Sequence, residues 1–269
     1  MPVFILSILF YRVGAQEHKT VKVEFQNLLD EKKVIGSILI YDLSADRFYS
    51  NDFARAETGK LPASTFKIPN SIVALELGVV EDDSTIFKWD GVERSVKNWN
   101  QDLIFRNAFH YSCVPCYQHI AREVGVERMH TMLDKMEYPG MQFSSETIDN
   151  FWLMGTSRIS PMQQIAFLRR YHAREIPVST RTYDILDDMM IVESTAEYTL
   201  RAKSGWSVDN GHNNGWYVGY VEKESNVYFF ATNIEPVNQE QMDGFVQARI
   251  EVTRNALAQL KIISPRSTP

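Results

Sequence analysis

The chain has 269 residues and a formal net charge of −6, with 44% hydrophobic, 12% aromatic and 23% charged residues. That length supports one large domain or two intimate subdomains with a substantial core, and the balance excludes a disordered or fibrous chain. Net negative charge, with no Lys/Arg run to offset it locally, argues against nucleic acid as a partner.

At the N-terminus, residues 3–11 form an apolar run too short to cross a bilayer as a helix. Val13-Gly14-Ala15 and the polar Gln16-Glu17-His18-Lys19 follow it. A short apolar stretch ending at small residues reads as a secretory signal over 1–15, cut after about Ala15. This leaves one domain over 16–264, without a membrane span, exported to the periplasm or the medium. No Lys or Arg precedes the apolar run, and the competing reading is an ordinary first strand or buried helix.

Residues 34–50 look like a hairpin, two β-rich runs around Ser44-Ala45-Asp46. From about 62 to 194 the chain reads as mainly helical. One helix is expected over 68–77, another over 116–124 ending at Gly125. A third, over 160–173, opens on the N-cap pair Ser160-Pro161. Strands are expected at 198–204, 215–221 and 227–233, broken by Asn210-Gly211 and by residues 223–226. Over about 239–260 the residues Phe245, Ala248, Ile250, Val252, Ala256, Leu257 and Leu260 fit an amphipathic helix. The expected fold is α/β (α+β) and three-layered: one antiparallel sheet from about 16–61 and 195–264, flanked by helices. A mainly helical subdomain, about 62–194, is inserted, and the cleft between the two parts is the place for chemistry.

The two cysteines, Cys113 and Cys116, stand three apart. They could be a redox pair, half a zinc site or two core thiols. The six scattered His offer no further ligands at zinc spacing, so no metal is expected and buried thiols are favoured, with an i,i+3 disulfide as the lesser alternative.

Ser64 and Lys67 lie one helical turn apart, after Pro62-Ala63. A serine hydroxyl is a weak nucleophile until a base takes its proton, and a neutral, desolvated lysine can do so. The start of a helix also aims backbone N–H groups at charge developing on a substrate carbonyl. Alone, S-x-x-K is a weak signal, since an N-cap serine and a solvated lysine give the same letters. Here it is followed by Ser112-Cys113-Val114 ahead of a helix and by Lys203-Ser204-Gly205 in a strand. That order matches the penicillin-recognising serine acyltransferases.

The resemblance then narrows. Pro62-Ala63-Ser64-Thr65-Phe66-Lys67-Ile68-Pro69-Asn70 resembles the active-site signature of the class D (oxacillinase-type) serine β-lactamases nearly letter for letter. So do Phe87-Lys88-Trp89-Asp90-Gly91, Gln118-His119-Ile120-Ala121-Arg122-Glu123-Val124-Gly125, Phe151-Trp152-Leu153 and Val227-Tyr228-Phe229-Phe230-Ala231, and the similarity spans about residues 34–262. One departure is Tyr138-Pro139-Gly140, where the family has Tyr-Gly-Asn.

The resemblance implies hydrolysis of β-lactams through a Ser64 acyl-enzyme. Lys67, carboxylated by carbon dioxide, would be the general base, with no separate cofactor. It further implies an apolar pocket from Val114, Phe66 and Trp152, with the Trp152 indole donating to the carbamate. Ser112 would relay a proton to the lactam nitrogen. Lys203, Ser204, Gly205 and Arg249 would hold the substrate and its carboxylate, and the N–H groups of Ser64 and Trp206 would form the oxyanion hole. His110, Trp99 and Tyr111 border the cleft or pack beneath it. Arg254 sits too far round the terminal helix to share the role of Arg249. The partner is a small β-lactam and the chain a monomer or homodimer. The alternatives sharing these motifs are a non-turnover β-lactam sensor domain and a D,D-peptidase.

Overall fold

The computed structural model describes residues 8–13, 16–239 and 244–265. In chain order the first elements are β1 (Ile8–Val13), β2 (Gln16–Lys22), α1 (Gln26–Glu31), β3 (Val34–Asp42), β4 (Arg47–Ser50) and α2 (Phe53–Glu57). A 3-10 turn (Ala63–Phe66) leads directly into α3 (Lys67–Glu76). The helical part continues with β5 (Ile86–Phe87), β6 (Leu103–Ile104), α4 (Phe105–His110), α5 (Val114–Val124), α6 (Val126–Lys135), α7 (Pro161–His172) and α8 (Thr180–Met189). The chain then returns through β7 (Ile191–Ser194), β8 (Tyr198–Asp209), β9 (His212–Lys223) and β10 (Asn226–Pro236) to α9 (Phe245–Gln259).

Eight of these strands form one sheet in the order β1-β2-β4-β3-β10-β9-β8-β7. Strands from both chain ends therefore meet at β3 and β10, as expected. The sheet is not wholly antiparallel, however, because β2 runs parallel to β4. With α1 and β3 lying between them in sequence, the connection is long enough to bring β4 back alongside β2 in the same direction. The apolar run read as an export signal overlaps β1, which is extended and pairs with β2. Residues 1–7 and the expected cut at Ala15 lie outside the described residues.

The local chemistry behind these elements is plain. Ser160 accepts from the Gln163 amide while the Gln163 side chain returns to the Ser160 amide, a capping box that starts α7. Asn210 and Gly211 both have positive φ, and this two-residue turn joins β8 to β9. Alternation along β10 gives the sheet two buried faces. Phe229 and Ala231 pack with Phe66, Ile72, Tyr117 and Trp152 beneath the helical part, whereas Phe230 and Ile234 pack with Leu29, Val252 and Leu257 beneath α1 and α9.

The stretch just before the 3-10 turn is held from both sides. Lys60 bridges to Ile159. The Leu61 carbonyl accepts the Trp216 indole N–H at 2.7 Å and the Asn214 amide at 2.8 Å, and the Ala63 N–H donates to the Trp152 carbonyl at 2.8 Å. Sheet and helical part thus both grip residues 60–63.

Candidate active site

Ser64 sits in the 3-10 turn rather than in the first turn of the α-helix, which Lys67 opens. Ala63 before it has φ +51, a left-handed conformation costly for an alanine and held by the surrounding hydrogen bonds. The Lys67 amine donates to the Ser64 hydroxyl at 3.2 Å. Lys67 is only 1% exposed, and burial alone pushes its amine down to about 7. Its nitrogen lies 4.7 Å from the centre of the Tyr117 ring, whose hydroxyl is taken up by Ser71 at 2.7 Å.

Phe66 stacks on Trp152, centroids 5.6 Å apart and planes 17° apart. The Trp152 indole N–H is fully buried and has no partner among the described residues. Both amide atoms of buried Asn70 are also without a hydrogen bond there. Val114, half-buried, begins α5. Tyr117 and Asn70 were missed from the sequence, although each lies three residues beyond a recognised position, Val114 and Lys67, on the same helical face.

Ser112 occupies the turn between α4 and α5 with φ +52. Its hydroxyl accepts a short hydrogen bond from the Lys203 amine, which also donates to the Ser204 carbonyl at 3.1 Å. Lys203 is buried, and burial first, then the charges of Lys67 and Arg249, hold its amine well below the ordinary lysine value. Arg249 reaches in from α9, donating to the Gly205 carbonyl at 3.0 Å. Burial lowers this guanidinium to about 10, still charged at neutral pH. Arg254 on the same helix pairs instead with Glu193 at 2.8 Å, away from the cleft.

Gly205 brings β8 against the nucleophile's turn: a Cβ there would come to 3.2 Å of the Ser64 nitrogen, the Ala63 Cβ and the Thr65 Cγ2. The next residue is Trp206, so the segments carrying the Ser64 and Trp206 amides are in contact. The Trp206 ring is exposed, tied to Asn213 at 2.9 Å. Trp99 donates to the Tyr111 carbonyl at 2.9 Å and so braces the turn before Ser112. His110 ends α4, its imidazole kept low by partial burial and then by the charges of Lys203 and Arg106.

Two readings need correction or completion. Cys113 and Cys116 are not free thiols but a disulfide, with Cα atoms 5.4 Å apart. The reason is local: Cys113 caps α5, and the first helical turn folds Cys116 back beside it, so the favoured thiol reading fails. The atypical Tyr138-Pro139-Gly140 segment packs rather than lines the cleft. Tyr138 is buried edge-on to Phe66 and Phe167, and Gly140, φ +77, has no room for a Cβ beside the Arg158 carbonyl.

Serine, lysine, a second hydroxyl and a strand-borne Lys-Ser-Gly around one cleft define the penicillin-recognising serine fold. The family model for the penicillin binding protein transpeptidase domain matches residues 35–257. The chain is 40% identical over 248 residues to the β-lactamase OXA-48 of Klebsiella pneumoniae, covering 92% of this chain and 90% of that protein. A solved class D β-lactamase, YbXI from Nostoc, superposes with a TM-score of 0.85 at 46% identity, covering 90% of this chain and all of that one. The C-terminal domain of the Bacillus licheniformis BlaR penicillin-receptor superposes at 0.84 with 25% identity, covering 91% of this chain and 97% of that domain. The chain belongs to the penicillin-binding transpeptidase family and, within it, to the class D β-lactamases.

Proposed function

We propose that the protein hydrolyses β-lactam antibiotics through an acyl-enzyme on Ser64, with Lys67 as the group that takes and returns protons. The observation that carries this reading is a neutral-prone amine, buried and 3.2 Å from the serine hydroxyl. Such an amine can accept the hydroxyl proton as the serine oxygen attacks the lactam carbonyl.

The residues around Lys67 fit its carboxylation. Carbon dioxide adds only to a neutral amine, and the buried Trp152 indole N–H has no partner among the described residues, as a donor reserved for an added acceptor would. When formed, a carbamate on Lys67 supplies anionic oxygens as proton acceptors for the serine and for the deacylating water. Trp152 would orient and retain it, while Phe66 and Val114 limit water in the pocket.

The N–H groups of Ser64 and Trp206 are assigned to the developing oxyanion. Ser112, which accepts from the Lys203 amine, would pass a proton toward the departing lactam nitrogen. Arg249, Lys203 and Ser204 present cationic and hydroxyl donors for the substrate carboxylate, and Gly205 keeps the strand open to close approach. A disulfide and the apolar N-terminal run both support export to an oxidising compartment.

The deciding experiment is hydrolysis of the chromogenic cephalosporin nitrocefin by purified protein, with and without bicarbonate, with intact mass recorded throughout. Sustained turnover that rises with bicarbonate supports the reading. One stoichiometric burst with a persistent adduct would instead indicate a sensor like the BlaR domain.

A further inference from the structure

Catalysis as described leaves the disulfide without a role. A bridge closing only a four-residue loop restricts the unfolded chain very little, because the stabilisation grows with loop length. Its position is more informative. Cys113 is the middle residue of Ser112-Cys113-Val114, between the proton relay and the residue that opens α5. Its amide is tied to the Ala108 carbonyl at 2.9 Å, and Ser112 beside it is held at a φ of +52. Cys113 is therefore fixed to the end of α4 by its backbone and to the first turn of α5 by its sulfur. Both cysteines are buried, yet both are among the residues lining an open cavity of about 560 Å³ shared with Phe87, Trp89 and His119.

We infer that the Cys113–Cys116 disulfide is a thiol-exchange site, and that its reduction by a small thiol or dithiol releases the Ser112–Val114 turn and lowers β-lactam turnover. The inference rests on the hydrolase reading above. Cys116, the more exposed of the two, takes the attack: a thiolate bonds to its sulfur, the Cys113–Cys116 bond breaks, and Cys113 departs as thiolate. The Cys116 amide donates to the Cys113 sulfur at 3.2 Å, at the N-terminus of an 11-residue helix, so the leaving thiolate is received by an N–H and the positive end of the helix. A second thiolate then attacks the reagent's sulfur in this mixed disulfide, forming the reagent disulfide and expelling Cys116 as thiolate. Two electrons and two protons pass to the cysteines, and the reagent leaves as its own disulfide. The freed turn no longer holds the Ser112 hydroxyl against the Lys203 amine.

The test poises the folded enzyme against graded ratios of reduced to oxidised dithiothreitol. It counts free thiols by alkylation and intact mass, and measures nitrocefin kinetics and the thermal midpoint of each sample. The expected result is two thiols gained together, a fall of about tenfold in kcat with a smaller change in KM, a midpoint moved by only a few degrees, and recovery on reoxidation. A double variant, Cys113→Ser with Cys116→Ser, should be indifferent to the dithiol whatever its own rate. Full reduction with unchanged kcat overturns the lock, and a bridge that resists reduction until the protein unfolds overturns the exchange site. Absence of turnover in the oxidised enzyme would instead defeat the hydrolase reading.

Discussion

Gly205 and Ser64 are in contact through backbone: a Cβ on the glycine would stand 3.2 Å from the serine nitrogen. That distance is short by a few tenths of an ångström, and the neighbours are a turn already strained at Ala63. Gly205→Ala should therefore push β8 off the nucleophile's turn. A misplacement on this scale costs catalysis more than folding, so kcat/KM should fall by roughly 10- to 100-fold while the denaturation midpoint shifts little. Comparable losses of activity and stability would show that the close approach serves packing alone.

Lys67 should set the acidic limb of the pH profile. Its amine, lowered from 10.5 to about 7, must be neutral to act, so activity should fall as pH drops through about 7. The linked effect on stability has a definite sign. Between about 7 and 10.5 the unfolded chain binds a proton that the folded chain does not, so burial is most costly below 7. That cost fades as pH rises through the window, at no more than about 1.4 kcal/mol per pH unit. In carbon dioxide-free buffer, Lys67→Met should be inactive yet more stable than the parent at pH 7, with the gap narrowing toward pH 10. A gap independent of pH would mean the amine is hydrated.

Trp152→Phe deletes the indole donor while keeping a ring to stack on Phe66. Since that donor has no partner among the described residues, the thermal midpoint should change by only a few degrees. The acyl-enzyme should accumulate, visible by intact mass, and half-maximal activity should need more bicarbonate. Deacylation equal to the parent's at low bicarbonate would remove Trp152 from this role.

Arg249→Ala withdraws a charged donor that stays cationic at neutral pH, since burial lowers it only to about 10. Hydrogen bonds to charged groups contribute about 1.5–3 kcal/mol, so KM should rise by roughly 10- to 150-fold. Arg249→Lys should recover only part of this, because an ammonium lacks the planar fork. An unaltered KM in the alanine variant would assign the carboxylate to Lys203 alone.

Much of the site was legible because its spacing is helical or strand-local. Ser64 and Lys67 are one turn apart, and Lys203-Ser204-Gly205 is contiguous, so their order along the chain carried the reading. The β3–β4 hairpin and β8–β10 were legible as β-rich runs separated by turn residues such as Asn210-Gly211, and α7 from its capping pair. What stayed hidden depends on distant pairing. Nothing in Gln16–Lys22, a polar stretch, indicates that it lies parallel to β4, since the partner is chosen across a connection. The disulfide was misjudged because thiol pairing depends on the cap that orients Cys113, not on composition. Tyr117 lies one turn beyond Val114 on α5, but its contact with Lys67 is made between two helices and is not written in either motif.

The grip on residues 60–63 has a thermal consequence. The Leu61 carbonyl is bound by β9, and the Ala63 amide by the Trp152 carbonyl, so neither part of the molecule can melt while leaving the nucleophile in register. Heating should thus yield a single coincident transition, in which inactivation and loss of far-ultraviolet ellipticity trace one curve.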